Sequence, residues 1–329
     1  MDASAGAPAP RPPPEAIYEQ LDDYFPGHDL DKADVRTPAS SADPASTLAP
    51  VSSVRPVFRW LRGELTGKGM NGRVYLALNS TTGEMIAAKQ TEIGRTRTSG
   101  ESGVRPTGAL MDLDHPNVVQ YLGFEETPTL LSVFMEYVPG GSIATCLRKY
   151  GPFNEDVTRS FAGQILSGLD YLHSQGFLHR NVKGDNVLVD DDPTCKLSDF
   201  DPNKHAKSAP STGASTTMHS TVFWMAPEVA NTTTPYSPKS DIWSAGCVVH
   251  EMWTGQQPWL GQEAMQVLAH LLQTRQAPPL PEGVELSELA DDFRRHCFVP
   301  DLDDRPSAAE LRAHPYLELP PGWTFTGFE

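Results

Sequence analysis

The feature that most constrains this chain is a change in the period of its apolar residues near position 140. From Phe58 to about Tyr137 they come in short alternating runs, such as Val74 to Leu78 and Leu130 to Met135, parted by turn residues that include Thr82 and Gly83. Side chains alternate faces along a strand, so these runs predict a small antiparallel sheet. From Ser142 onward the spacing is helical. Phe161, Ile165, Leu166, Leu169 and Leu172 fall on one face, and the mostly apolar run Ile242 to Trp253 predicts a buried helix. Strands followed by helices give an α+β chain with a small β lobe over 56–137 and a larger helical lobe over 138–318. No repeat with a period of 20 to 50 residues interrupts that order.

Composition bounds the function classes. The 329 residues are 39% apolar and 21% charged, enough for a full core, and no run approaches the roughly 18 consecutive apolar residues of a membrane span. A soluble, cytoplasmic chain is expected. The net charge of -16, from 26 basic and 42 acidic residues, would repel a phosphate backbone, so nucleic acid is not an expected partner. Cys146, Cys195, Cys247 and Cys297 make no CxxC pair and read as reduced, buried thiols. Ten of the 30 prolines precede residue 57, among Ala, Ser and Asp, a composition that cannot offset the entropy of ordering. Residues 1–55 are expected to be a disordered tail. Within it the apolar island at 16–35 (Ile17, Tyr18, Leu21, Tyr24, Phe25) is a candidate docking motif. Residues 319–329 form a C-terminal extension.

The chemistry begins at Gly67-Lys-Gly69-Met-Asn-Gly72-Arg-Val74, between two predicted strands. Glycines there let backbone amides approach phosphate oxygens, although a hairpin with three glycines alone accounts for the same residues. Seventeen residues after Gly72, Ala87-Ala88-Lys89 lies on the next strand. Further on come His179-Arg180-Asn181-Val-Lys183-Gly-Asp-Asn186, Asp199-Phe200-Asp201 and Ala226-Pro227-Glu228.

These motifs, in this order, resemble the protein kinase family over roughly Phe58 to Leu317. The resemblance implies a bilobal kinase fold. Finer wording, in Phe134 to Ser142, Thr221 to Glu228, the tail run Asp23 to Asp31 and the closing Pro321 to Phe328, is similar to fungal MAP kinase kinase kinases of the cell-wall-integrity type. It implies a Ser/Thr lineage, with ATP and Mg²⁺ as cofactors and proteins of a MAP kinase pathway as partners. By the same resemblance the nucleotide-binding residues are Gly67, Gly69, Gly72, Val74, Ala87, Lys89, Met135, Glu136, Val138 and Leu188. Met135 would gate the pocket, with Glu136 and Val138 meeting adenine through their backbones. Asn186 and Asp199 would hold the metal, Lys183 would serve catalysis beside position 181, and Arg305 would pair with Glu228.

Three departures from the pattern carry consequences. Asn181 stands where the family has its catalytic aspartate, and a neutral amide cannot accept the proton of a substrate hydroxyl. Losing a general base costs about 10² to 10⁴ in rate. Between Lys89 and His115 the family has a helix whose glutamate pairs with the strand lysine. Here Pro106 takes that place, with Gly103 and Gly108 about it and the segment shortened, so no regular helix is expected. Asp201 replaces the glycine of the metal-binding triplet. Three readings stay open: a pseudokinase that binds ATP and partner kinases with little or no transfer, an active or weakly active Ser/Thr kinase acting on a MAP kinase kinase, and a degenerate paralogue with no function.

Overall fold

The computed structural model describes residues 59–69, 72–93, 108–200, 222–231 and 234–328. The tail with its 16–35 island, Pro106 and Asp201 lie outside the described residues. Those described fall into two compact units, one of residues 59–93 and 121–137, the other of 108–120 and 138–328.

The first unit is a five-stranded antiparallel sheet of order β1-β2-β3-β5-β4: β1 (Trp60–Gly69), β2 (Gly72–Asn79), β3 (Glu84–Glu92), β4 (Tyr121–Glu126) and β5 (Leu130–Glu136). Burial alternates along β3 at Ile86 and Ala88, whereas β2 buries Leu76, Ala77 and Leu78 in succession and β5 buries Leu131, Ser132, Phe134 and Met135, so the period-two alternation expected there is not kept. On one face Ala77, Ile86, Ala88 and Phe134 are buried together, with Trp60 packed edge-on to Phe134 at 5.0 Å between ring centroids. The Trp60 indole donates to Glu125 Oε2 (3.1 Å), so its polar end is satisfied at the margin of that cluster. Gly72 opens β2 at φ +133°, where an added Cβ would lie 2.4 Å from the Gln90 carbonyl, so only glycine fits.

In the second unit α1 (Gly108–Met111) precedes α2 (Ile143–Tyr150), α3 (Glu155–Ser174), the short hairpin β6 (Val187–Val189) and β7 (Cys195–Leu197), α4 (Pro227–Ala230), α5 (Pro238–Thr254), α6 (Ala264–Thr274), α7 (Glu288–Cys297) and α8 (Ala308–Leu311). Asn154 caps α3 by accepting from the Val157 amide (2.9 Å), and Glu155 and Asp156 face the positive end of the helix dipole. Its predicted apolar face is fully buried: Phe161, Ile165, Leu166, Leu169 and Leu172 are all at most 2% exposed. Helix α5 is buried almost throughout, and it ends at Gly255 in the left-handed conformation.

The sequence pattern sets a single cut near Tyr137, but the stretch 108–120 belongs to the second unit. Asn117 explains this: its side chain donates to Gln164 Oε1 and to the Cys195 carbonyl, both at 3.0 Å, and its carbonyl accepts from Leu197. Gly168 on α3 leaves room for it, since a Cβ there would lie 2.6 Å from the Asn117 carbonyl. The Asp114 amide donates to the Tyr171 hydroxyl, and His115 stacks on the Tyr171 ring. The C-terminal extension is packed as well. Phe328 lies 4.8 Å from Phe153 and 5.3 Å from Tyr150, ring to ring, and Phe325 stacks near Phe161.

Candidate active site

The sheet register gathers one group of predicted residues. Gly67 pairs with Val74, Val74 with Lys89, and Lys89 with Val133; two residues along, Leu76, Ala87 and Met135 form the next such row. Residues paired across antiparallel strands share a face, as do residues two apart. Gly67, Val74, Ala87, Lys89 and Met135 therefore lie on the face opposite the Ala77, Ile86, Ala88 and Phe134 cluster. Gly69 closes β1 opposite Gly72. Glu136 is on the other face from Met135, so only its backbone is available to a ligand on the Lys89 side.

The second unit holds the other group. Val138 is buried there, and Leu188, half-buried, sits on β6 opposite Lys196 and bridges to Ser142. The loop from His179 to Asn186 ends in a 3-10 turn, Gly184–Asn186. Asn186, 7% exposed, donates its side-chain amide to the Asn181 carbonyl (2.7 Å), which leaves its amide oxygen as the atom it can offer a hard cation. The Asn186 carbonyl in turn accepts from the amide and hydroxyl of Ser198, one residue before Asp199. Asn181 Nδ2 faces Asp199, 3.3 Å from its carbonyl and 3.4 Å from its carboxylate Oδ2. Lys183 lies 3.9 Å from the Asp185 carboxylate, a pair too exposed to contribute much energy.

Arg180 and Asp199 both have φ near +60°, a left-handed backbone that non-glycine residues adopt only when their surroundings hold them. For Arg180 the holder is Asp241 at the start of α5. Its buried carboxylate accepts from the amides of His179 (3.0 Å) and Arg180 (2.9 Å), from the Tyr236 hydroxyl (2.6 Å), and pairs with His173 Nε2 (2.8 Å). Burial pushes its pKa up, but these partners outweigh burial and hold it below the ordinary carboxylate value. His179 is fully buried, and burial keeps its imidazole below the usual pKa despite Asp241 and Asp199. Its Nδ1 accepts from the Asn181 amide (3.3 Å), so Nε2 carries the proton, and that atom finds no hydrogen-bond partner among the described residues.

Glu251, from the interior of α5, is the site residue that sequence reasoning missed. It accepts from the Gly184 amide (3.0 Å) and the Trp224 indole (2.8 Å), tying the loop to the short turn before Ala226. Burial raises its pKa to about 8, against the pull of those two donors. The one acid within the mostly apolar run Ile242 to Trp253 was the signal. Arg305 is fully buried and makes a two-pronged pair with Glu228 (2.8 and 3.0 Å), as the family resemblance implied. A second polar cluster, Asp292, His296 and His314, has its donor atoms within 4.8 Å of one another. His314 Nδ1 accepts from the Tyr316 amide, however, capping the short turn Pro315–Leu317, and its Nε2 faces Asp292 at 3.2 Å as a donor.

The model of the protein kinase domain family matches residues 60–317. This chain belongs to that family. It is 45% identical over 280 residues to MAP kinase kinase kinase mkh1 of Schizosaccharomyces pombe, covering 82% of this chain and 25% of that protein. It is 44% identical over 271 residues to the serine/threonine-protein kinase BCK1/SLK1/SSP31 of Saccharomyces cerevisiae, with coverage of 80% and 18%. Over 272 residues it is 38% identical to mitogen-activated protein kinase kinase kinase 2 of Arabidopsis thaliana, with coverage of 80% and 41%. The kinase domain is thus of the MAP kinase kinase kinase type, and the chain spans well under half the length of these relatives. No helix among the described residues is long and apolar enough to cross a membrane.

Proposed function

We propose that this domain binds Mg-ATP and cytoplasmic kinases of a MAP kinase pathway and transfers phosphate slowly or not at all. The observation that carries the reading is Asn181, whose side-chain nitrogen donates to Asp199. At that position phosphoryl transfer calls for a carboxylate that orients the attacking hydroxyl and takes its proton. An amide nitrogen has no basic lone pair, and the amide oxygen is far too weak a base. The loss falls on the chemical step and leaves binding residues in place.

Support for nucleotide binding comes from each unit separately. The sheet presents Lys89 beside Val74 and Ala87 on one face, next to glycines that keep the backbone open. The loop offers the Asn186 amide oxygen and the Asp199 carboxylate, a donor set of hard oxygens that suits Mg²⁺. When bound, Mg-ATP supplies the transferable phosphoryl group and part of the charge neutralisation. Lys89 would pair with phosphate oxygens, and the backbones of Glu136 and Val138 would meet the base. Partner binding rests on kinship with the MAP kinase kinase kinases, and the buried Arg305 to Glu228 pair of the second unit is intact.

A thermal-shift titration tests the binding half. ATP with Mg²⁺ at about 100 times Kd should stabilise the native state by about 2.7 kcal/mol, a rise of several degrees. Asp199→Ala should remove the metal-dependent part of the rise. A folded sample with no shift at millimolar Mg-ATP would mark the pocket as vestigial.

A further inference from the structure

We infer that the end of α2 and the start of α3 form a docking groove for a partner's peptide with two phenylalanines three positions apart, a groove that the chain's own Phe325-Thr-Gly-Phe328 fills in cis. The inference goes beyond the proposed function, because neither nucleotide nor Asn181 enters it.

The groove is aromatic. Tyr150 closes α2, Phe153 lies in the turn that follows, and Phe161 stands in the second turn of α3. Phe328 stacks on Tyr150 at 5.3 Å between ring centroids, lies 4.8 Å from Phe153 and meets Phe161 edge-on at 6.0 Å. Phe325 lies 6.2 Å from Phe161 and 5.2 Å from Phe328. Two anchors thus share one aromatic bed, and ring pairs of this kind contribute beyond the area they bury. The bed is closed at Phe161, 0% exposed, and open at Tyr150, 45% exposed.

Side chains alone hold the segment there. The Trp323 amide donates to the Pro320 carbonyl in the turn before it, and Arg159 reaches the Glu318 carbonyl at 3.5 Å. Beyond Trp323, no hydrogen bond joins residues 324–328 to the rest of the chain among the described residues. Thr324 and Thr326 are exposed, while Phe325 and Phe328 are half-buried. An element of the fold proper commits its backbone to partners. This segment sits as a short peptide ligand does, with two rings as anchors and spacers that face water. Nothing in those contacts requires the rings to come from the same chain; the tether supplies only a local concentration, on the order of millimolar for a short link.

Charge selects the kind of partner. Lys149 Nζ lies 4.7 Å over the Tyr150 ring, and Arg148 is exposed beside it, so the open end of the groove is basic in a chain of net charge -16. Two copies of such an acidic chain repel each other. A separate protein whose paired phenylalanines are flanked by acids meets the basic edge instead.

The test uses the full chain and a fluorescent peptide with the sequence of Pro321 to Phe328, followed by anisotropy. Phe325→Ala with Phe328→Ala vacates the groove, and that chain should bind the peptide at least about tenfold more tightly than the unmodified chain, where the tethered segment competes. A peptide with alanines between the two phenylalanines should bind equally well, and one with the phenylalanines adjacent should not bind. Aspartates placed outside the pair should tighten binding at low salt. Tyr150→Ala, at an exposed position of the vacated chain, should weaken binding several-fold and leave the melting temperature unchanged. Absence of saturable binding to the vacated chain at about 1 mM peptide, equal binding by both chains, indifference to the spacing or to Tyr150, or no gain from the aspartates overturns the inference. Dimers of the unmodified chain that dissociate on Phe328→Ala would assign the groove to a second copy and overturn it as well. Should the vacated chain not fold, Phe328→Ala alone carries the comparison, and peptide bound no more tightly than by the unmodified chain overturns it.

Discussion

The Lys89 face of the sheet and the loop from His179 to Asn186 carry the two halves of the candidate chemistry, and they are built by different means. On the sheet, a ladder of backbone pairs places each residue: once β2, β3 and β5 are in register, Val74, Lys89 and Val133 are neighbours whatever their side chains. In the loop, side chains of another element do the placing. Asp241 and Glu251, both from α5, hold the amides of His179, Arg180 and Gly184. A sheet distributes the load over many weak equal bonds, whereas the loop hangs on a few buried charges. Single substitutions should accordingly cost more behind the loop than in the sheet.

The largest expected effect is Asp241→Ala. It strands two amides, a hydroxyl and an imidazole in a buried site, and loss of such a centre costs about 3 to 5 kcal/mol in denaturant unfolding. A loss below about 1 kcal/mol would mean that the loop is held by something other than α5. In the sheet the most sensitive change is Gly72→Ala, because its Cβ would meet the Gln90 carbonyl at 2.4 Å and φ is +133°. A cost of about 2 kcal/mol is expected, with Lys89→Met nearly neutral to stability by comparison. A reversed order, with the sheet change costlier than Asp241→Ala, would break the comparison.

A smaller effect separates charge from hydrogen bonding at Glu251. Burial raises its folded pKa to about 8 from the ordinary glutamate value near 4.5. Between those values the unfolded chain releases a proton that the folded chain keeps, so its contribution to stability is full below about pH 4.5 and is lost as pH rises through 8. Glu251→Gln retains the acceptor for Gly184 and Trp224 and removes that slope. Relative to the unmodified chain it should gain stability progressively as pH rises from about 4.5 to 8, and nothing below pH 4.5. Stability profiles that run parallel from pH 5 to 8 would show that Glu251 is ionised in the fold.

The same contrast explains what was legible beforehand. Period-two spacing and three glycines disclosed the Lys89 face, because a ladder needs only local pattern and register. The buried stripe of α3 was readable for the same reason. What holds the loop was not: His179 and Asp241 are 62 positions apart, Gly184 and Glu251 67, and no local period links them. Asp241 stands one residue before the apolar run Ile242 to Trp253, and Glu251 reads as one acid within it. The capture of 108–120 by the second unit was also hidden, since it turns on Asn117 reaching Gln164 and Cys195. Asn181 was visible as a departure from the family pattern, and its contact with Asp199 emerged only in the fold.

Asn181 is also where the account can be tested most directly. The measurement is transfer of labelled phosphate from Mg-ATP to a generic Ser/Thr substrate and to the protein itself, with Lys89→Met and Asn181→Asp alongside. The account predicts that the unmodified chain transfers no more than Lys89→Met, and that Asn181→Asp gains on the order of 10² or more if the general base is the part that limits. Transfer by the unmodified chain well above the Lys89→Met control would contradict it.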